Sequence, residues 1–176
     1  MQMTSEAPPR MVIGIDPGGT TGVAWWVPTE VRRPTTILED HWDWDQVADC
    51  DTDHALMTLF SFLDDIIYPY SNNVGSVHLI YEAFEFRKDD ATRDKIDYTA
   101  AEVIGALRFW AHSRFQVKLF KSNAATGKGF WTDDKLKRLG LWVAGVKHAM
   151  DGRRHLLRHR AFTLNHHWLF QGLKPE

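Results

Sequence analysis

The chain of 176 residues reads as a layered α/β domain, and three observations carry that expectation. An apolar run, Met11-Val-Ile-Gly-Ile-Asp16, ends on a lone carboxylate and passes straight into a glycine-rich turn. A second apolar run, Val77-His-Leu-Ile-Tyr81, also ends on an acid, Glu82. Around these runs lie segments with apolar residues at helical spacing, so that strands, helix, strand, helix, strand and helices alternate along the sequence.

Residues 1–10, with Pro8-Pro9, are expected to form a loose tail, and a single domain is expected over residues 11–170. After the first strand, the turn Pro17 to Gly22 leads into the alternating run Val23-Ala-Trp-Trp-Val27, a hairpin. Val31-Arg-Arg-Pro34 reads as a turn and Pro34 to Trp42 as a third strand, completing an antiparallel meander. From Thr52 to Tyr68 the residues Leu56, Leu59, Phe60, Leu63, Ile66 and Ile67 recur at helical spacing, with Asp51 or Thr52 as N-cap and Pro69 as terminator. Val77 to Tyr81 is the fourth strand, and residues 83–93, without any period, read as a surface loop. Asp94 to Ala111 predicts a helix with Ile96, Ala100, Val103, Ile104, Leu107 and Ala111 on its apolar face. Gln116 to Phe120 predicts the fifth strand. Lys121 to Trp131, containing Gly127 and Gly129, reads as a loop; Thr132 or Asp133 to Leu139 as a short helix; and Leu141 to Trp168 as a long one.

An apolar fraction of 44% is enough to bury one core, and no run approaches the roughly 20 apolar residues that cross a bilayer. The single cysteine, Cys50, excludes an internal disulfide, so a reducing cytoplasm is the expected compartment. Charge is divided unevenly. Residues 1–107 carry 7 Lys and Arg against 19 Asp and Glu, whereas residues 108–176 carry 14 against 4. A basic C-terminal part in a chain of net charge −2 points to a polyanion partner; a solvated basic helix is the alternative.

The chemistry is expected where acids gather. Asp16 before a glycine-rich turn can hold a hard divalent cation or lie near a phosphate, because such cations take oxygen ligands and glycine lets the backbone approach. A turn-forming aspartate in a hairpin is the plainer reading. His148-Ala-Met-Asp151 places an imidazole and a carboxylate three residues apart on one helical face, where both could bind one cation or simply meet solvent. Other motifs fail. Gly127-Lys128 lacks the spacing and the Ser or Thr of a nucleotide-binding loop, and Asp49, Asp51 and Asp53 lack the glycine of a calcium loop. Glu85 is a weaker second acid than Glu82, His166-His167 reads as a solvated tail, and Trp25, Trp26, Trp42 and Trp44 as core and sheet surface.

The opening strand and turn are shared by two families. Asp-x-Gly-Gly-Thr after an apolar strand resembles the phosphate loop of actin-like sugar and acetate kinases. Ile13-Gly-Ile-Asp-Pro-Gly18 with Thr21-Gly22 resembles the RuvC family of Holliday-junction resolvases, and Pro17 favours that family. A kinase of the first kind needs two lobes, and this chain has the length of one domain. Tyr81-Glu82-Ala-Phe-Glu-Phe86 is similar to the second acid of the RuvC family, followed by an aromatic residue, Phe84 or Phe86, that approaches the junction. His148 to Asp151, continuing to Leu157-Arg158-His159, looks like its closing helix. The resemblance implies an RNase H-like fold: a five-stranded mixed sheet flanked by helices, with an antiparallel β1-β2-β3 meander followed by parallel strands. It implies Asp16, Glu82, His148 and Asp151 as catalytic and metal-binding residues, with Mg²⁺ or Mn²⁺ as cofactor, two ions per site. It further implies a crossover junction endodeoxyribonuclease acting on four-way DNA as a homodimer, in a bacterial or phage-infected cell. Lys121, Lys128, Lys135, Arg153, Arg154 and Arg158 are the expected phosphate contacts. Gly127-Lys-Gly129 matches the family's glycine pair, but Lys135 is displaced from the position of its following lysine, and Gly152-Arg-Arg-His155 replaces its usual alanines. A non-catalytic junction-binding protein is the alternative in another class.

Overall fold

The structure, a computed structural model, describes residues 9–28, 41–72, 75–84 and 98–166. Five strands form one sheet: β1 (Met11–Asp16), β2 (Thr21–Val27), β3 (His41–Val47), β4 (Val77–Glu82) and β5 (Val117–Ser122), in the spatial order β3-β2-β1-β4-β5. The pairs β1/β2 and β2/β3 are antiparallel, while β1/β4 and β4/β5 are parallel. Among the described residues five α-helices accompany them: α1 (Asp53–Ile67), α2 (Thr99–His112), α3 (Ala124–Phe130), α4 (Asp133–Arg138) and α5 (Lys147–Phe162). Among the described residues no helix is long and apolar enough to cross a membrane.

Local chemistry accounts for most of these elements. Thr21 ties the β1/β2 turn by donating from Oγ1 to the Gly18 carbonyl at 2.9 Å. Thr52 caps α1, its hydroxyl accepting from the Ala55 N–H at 3.2 Å. The buried stripe of α1, Ala55, Leu59, Leu63 and Ile67, packs with Val103, Leu107 and Trp110 of α2 against Ile13, Ile15, Leu79 and Tyr81. Arg114, just beyond α2, holds both carboxylate oxygens of Asp64 on α1 at 2.6 Å, a bidentate pair that joins the two helices. This side of the sheet is a hydrocarbon core.

Alternation along each strand sends the other half of its residues to the opposite face, where α5 lies. There Val12, Trp26 and Ile80 pack on Leu156, and Trp131, Leu136, Leu139 and Leu141 pack on Leu157 and Ala161. Glycine lets α5 come this close. A Cβ at Gly14 would lie 2.0 Å from the Gly152 carbonyl oxygen, and one at Gly22 would lie 2.0 Å from the His148 backbone.

The structure corrects three element boundaries. The third strand is His41–Val47 rather than residues 34–42, of which 34–40 lie outside the described residues. Its signal was the two-residue alternation Trp42-Asp-Trp-Asp-Gln46, with each aspartate exposed and each tryptophan half-buried. Residues 124–130 form α3 in place of a loop, because Asn123 caps it, accepting from Ala125 N–H at 2.8 Å, and Gly127 packs against α5. The last helix begins at Lys147, six residues later than expected, since Gly145 takes a left-handed φ of 81°. Residues 94–97, expected at the start of α2, also lie outside the described residues.

Candidate active site

Asp16 and Glu82 are the last residues of neighbouring parallel strands, β1 and β4, and Ser122, the register partner of Glu82, ends β5. All three fall on the strand face toward α5. From that helix, His148, Asp151 and His155 are spaced three and four residues apart, so they share one face and descend on the strand ends. Gln46 of β3 accepts from the Ala149 N–H at 3.1 Å, capping the first turn of α5 where Val146 offers no side-chain cap.

The contacts are specific. His148 Nδ1 lies 2.8 Å from Asp16 Oδ2. His155 Nε2 lies 2.8 Å from Glu82 Oε2, and its Nδ1 lies 2.9 Å from Ser122 Oγ. Lys128 of α3 reaches between the acids, its Nζ 3.1 Å from Asp151 Oδ2 and 3.3 Å from Glu82 Oε2. Arg154 grips Asp151 and Asp133 and donates from Nε to the Trp131 carbonyl at 2.8 Å.

Electrostatics follow from crowding these acids where Asp16 and Asp151 are buried and Glu82 is half-buried. Burial pushes Asp16 up from 3.8 to about 6, with the hydrogen bond to His148 opposing and the charges of Glu82 and Asp151 adding to the rise. Burial would raise Glu82 too, but the hydrogen bond from His155 and the ammonium of Lys128 outweigh it and hold Glu82 at about 2. Lys128 is itself raised: its own burial is overcome by Asp16, Asp151 and Glu82 around it.

Among the described residues no three Asp, Glu, His or Cys side chains close on a common point as a preformed metal cage. The donor chemistry nevertheless fits a hard divalent cation: three carboxylates from β1, β4 and α5 crowd about a single ammonium, and one of them, Asp16, ionises with difficulty because it is buried and two other carboxylates lie near it. Asp16, Glu82 and Asp151, with His148 beside Asp16, are the residues that would hold it.

Of the expected phosphate contacts, Lys128 reaches Glu82 and Asp151, and Arg154 reaches Asp151. Arg153 and Arg154 are corrected: they are 3% and 7% exposed and serve the interior. Arg153 donates to the Leu141 carbonyl, and burial lowers its guanidinium to about 10, Asp43 partly opposing. Lys135 donates to the Phe130 carbonyl at 2.7 Å and covers that ring, tying α3 to α4. Lys121 is exposed but alternates to the face opposite Ser122. Arg158 is half-buried beside Phe162, and Phe84 is half-buried two residues after Glu82; Phe86 lies outside the described residues. Sequence reasoning missed His155, Ser122, Asp133 and Gln46. For His155 a signal existed, its spacing of four from Asp151 and seven from His148.

No protein-family model matches the chain, and no curated protein does. Solved structures do. The structure of Thermus thermophilus RuvC aligns over 88% of this chain and 96% of its own, at 14% identity and a TM-score of 0.59. T. thermophilus RuvC in complex with a Holliday junction substrate aligns over 89% and 96%, at the same identity and TM-score. The yeast mitochondrial Holliday junction resolvase aligns over 90% of this chain and 71% of its own at 14% identity, with a TM-score of 0.43. The fold is the RNase H-like fold of RuvC. The five-stranded mixed sheet, with its antiparallel meander, parallel strands and flanking helices, agrees with that expectation.

Proposed function

We propose that this protein is a divalent-metal-dependent endonuclease that cuts branched DNA, with four-way junctions as its principal substrate. The observation that carries the reading is the meeting of Asp16, Glu82 and Asp151 around Lys128 at the carboxyl end of an RNase H-like sheet. Mg²⁺ or Mn²⁺, as a pair of ions, would activate a water and stabilise the leaving 3′ oxygen of a phosphodiester. Asp16, Glu82 and Asp151 supply the oxygen donors. His148 orients Asp16 through Oδ2, and Arg154 orients Asp151. Lys128 pairs with Glu82 and Asp151; its side chain is 42% exposed and can turn to a phosphate lying over them. Exposed bases on the same half of the chain, among them Lys121, Lys137, Arg138 and Lys147, favour a polyanion and make binding fall with salt. Symmetric cutting of a two-fold substrate needs two sites, so the working form is a homodimer.

The test is cleavage of labelled four-way junctions, flaps and linear duplex with Mg²⁺ or Mn²⁺, set beside Asp16→Asn. Paired nicks on the junction that vanish in the variant are expected. Cutting of flaps as well widens the substrate class, while tight junction binding without cutting by either protein overturns the enzyme reading and favours a junction-binding role.

A further inference from the structure

His155 stands out among the residues around the acids because it is completely buried, its side chain 0% exposed, and yet both ring nitrogens are engaged. A nitrogen 2.8 Å from a carboxylate oxygen must donate, so the proton is on Nε2 and points at Glu82. Nδ1 lies 2.9 Å from the Ser122 hydroxyl oxygen, a group able to donate to it or accept from it. One tautomer satisfies every polar atom of the ring, which is what a buried imidazole requires.

The two partners are themselves fixed. Glu82 and Ser122 are paired residues at the ends of β4 and β5, and the Ala83 N–H donates to the Ser122 carbonyl at 2.8 Å, extending the ladder beneath the ring. Ser122 is 3% exposed, so its hydroxyl cannot act as a nucleophile on a large substrate; it holds the imidazole. On the other side α3 rests on the ring. A Cβ at Gly127 would lie 2.9 Å from both Cε1 and Nδ1 of His155, so only glycine allows this approach, and the next residue is Lys128. The imidazole therefore sets the place of one oxygen of Glu82 and of the helix that brings Lys128 to that same oxygen.

We propose that His155 is a positioning residue of the acidic site: through a Ser122–His155–Glu82 chain of hydrogen bonds it holds the Glu82 carboxylate, and through Gly127 the α3 turn bearing Lys128, in the arrangement that receives divalent metal. This rests on the metal-dependent nuclease reading and adds a member from a part of α5 where that reading assigns none.

The experiment uses the full chain in three forms: wild type, His155→Leu, which fills the volume without hydrogen bonds, and His155→Gln, whose amide can both donate to Glu82 and accept from Ser122. Mn²⁺ affinity is measured by calorimetry, junction cleavage is separated into kcat and KM, and the wild-type imidazole tautomer is read from ¹⁵N chemical shifts. Mn²⁺ affinity is expected to weaken about ten- to a hundredfold in His155→Leu, kcat to fall with KM little changed, and His155→Gln to recover most of both. Wild-type affinity and kcat in His155→Leu, or a Gln variant as impaired as the Leu variant, would reduce His155 to packing and overturn the proposal. Should the His155 variants fail to fold, Ser122→Ala removes only the hydroxyl; weaker Mn²⁺ binding supports the chain of bonds, and unchanged binding overturns it. A wild-type ring without a proton on Nε2 overturns the positioning role whether or not the protein cuts DNA. A wild type with the Nε2 proton that binds no Mn²⁺ and cuts no junction overturns the nuclease reading instead.

Discussion

Helices α1 and α5 cover opposite faces of one sheet and bury different kinds of residue. Of the 15 residues of α1, the buried ones are Ala55, Leu59, Leu63 and Ile67, a plain apolar stripe. Among the buried residues of the 16-residue α5 are Asp151, Arg153, Arg154, His155, His159 and Arg160. On the first face a side chain contributes by leaving water, with little demand on its direction. On the second the buried charged and imidazole groups have particular partners: Arg154 finds Asp151 and Asp133, His155 finds Glu82 and Ser122, His159 Nε2 sits 2.9 Å from His78 Nδ1, and the Arg160 guanidinium lies 3.5 Å over the Trp26 ring. One face supplies stability that tolerates variation; the other supplies placement and is sensitive to a single atom.

The largest expected effect breaks the contrast by force. Gly14→Val drives a side chain into the Gly152 carbonyl, and since the obstacle is backbone, α5 must move; about 3 kcal/mol or more of stability should be lost together with all cleavage. Leu59→Ala on the opposite face should cost a comparable 2 to 5 kcal/mol, roughly, yet leave cleavage per folded molecule at the wild-type level. Urea unfolding alongside junction cleavage separates the two, and equal loss of specific activity in both variants would erase the distinction between faces.

Asp16→Asn sharpens it in the other direction. Because the folded state raises this carboxyl from 3.8 to about 6, the fold binds its proton more tightly than the unfolded chain does, and stability falls as pH rises through that window. Above it the ionised group costs up to about 3 kcal/mol, so the amide should unfold a few degrees higher at pH 8 while cleaving nothing. A melting point lower than wild type at pH 8 contradicts this account of the site.

His159 probes the polar face away from the acids. Burial first, then the positive charges of His78, Arg158 and His166, depresses it from 6.5 to about 3. Its neutral form is therefore favoured by folding: the stability it contributes is complete above 6.5 and is lost as pH falls toward 3, at up to about 1.4 kcal/mol per pH unit. Melting curves between pH 7 and pH 5 should show a decline that His159→Phe reduces, and an undiminished decline would assign the acid sensitivity elsewhere. The smallest effect belongs to Gln46→Ala, which uncaps α5 at Ala149. About 1 kcal/mol should go, with a modest loss of kcat as His148 loosens over Asp16.

Much of this was legible in the chain. Asp16 and Glu82 were readable because a strand ends where its apolar run ends, and an acid there stands at a sheet's carboxyl edge. The shared face of His148 and Asp151 was readable from helical spacing, and the RNase H-like topology was what the resemblance to the RuvC family implied. The errors share a cause. Arg153 and Arg154 looked like solvent-facing bases because arginine is seldom buried, and nothing local announces that Asp133, Trp131 and Leu141 will arrive to receive their guanidinium groups. Lys121 was expected in a loop; it lies in β5, and only the strand's register decides which face it takes. The loop expected over 121–131 became α3 because packing against His155 outweighs the low helix propensity of Gly127 and Gly129.

The sequence by itself determined the periodicities, the strand ends and the acids placed on them, since these depend on neighbours within a few residues. Tertiary structure alone decided which charges would be interior. The close seating of α5 on Gly14 and Gly22 turns a helix of unremarkable basic character into the floor of a charged site, and burial, which no short stretch of chain encodes, is what shifts Asp16, pairs Arg154 and gives His155 two partners.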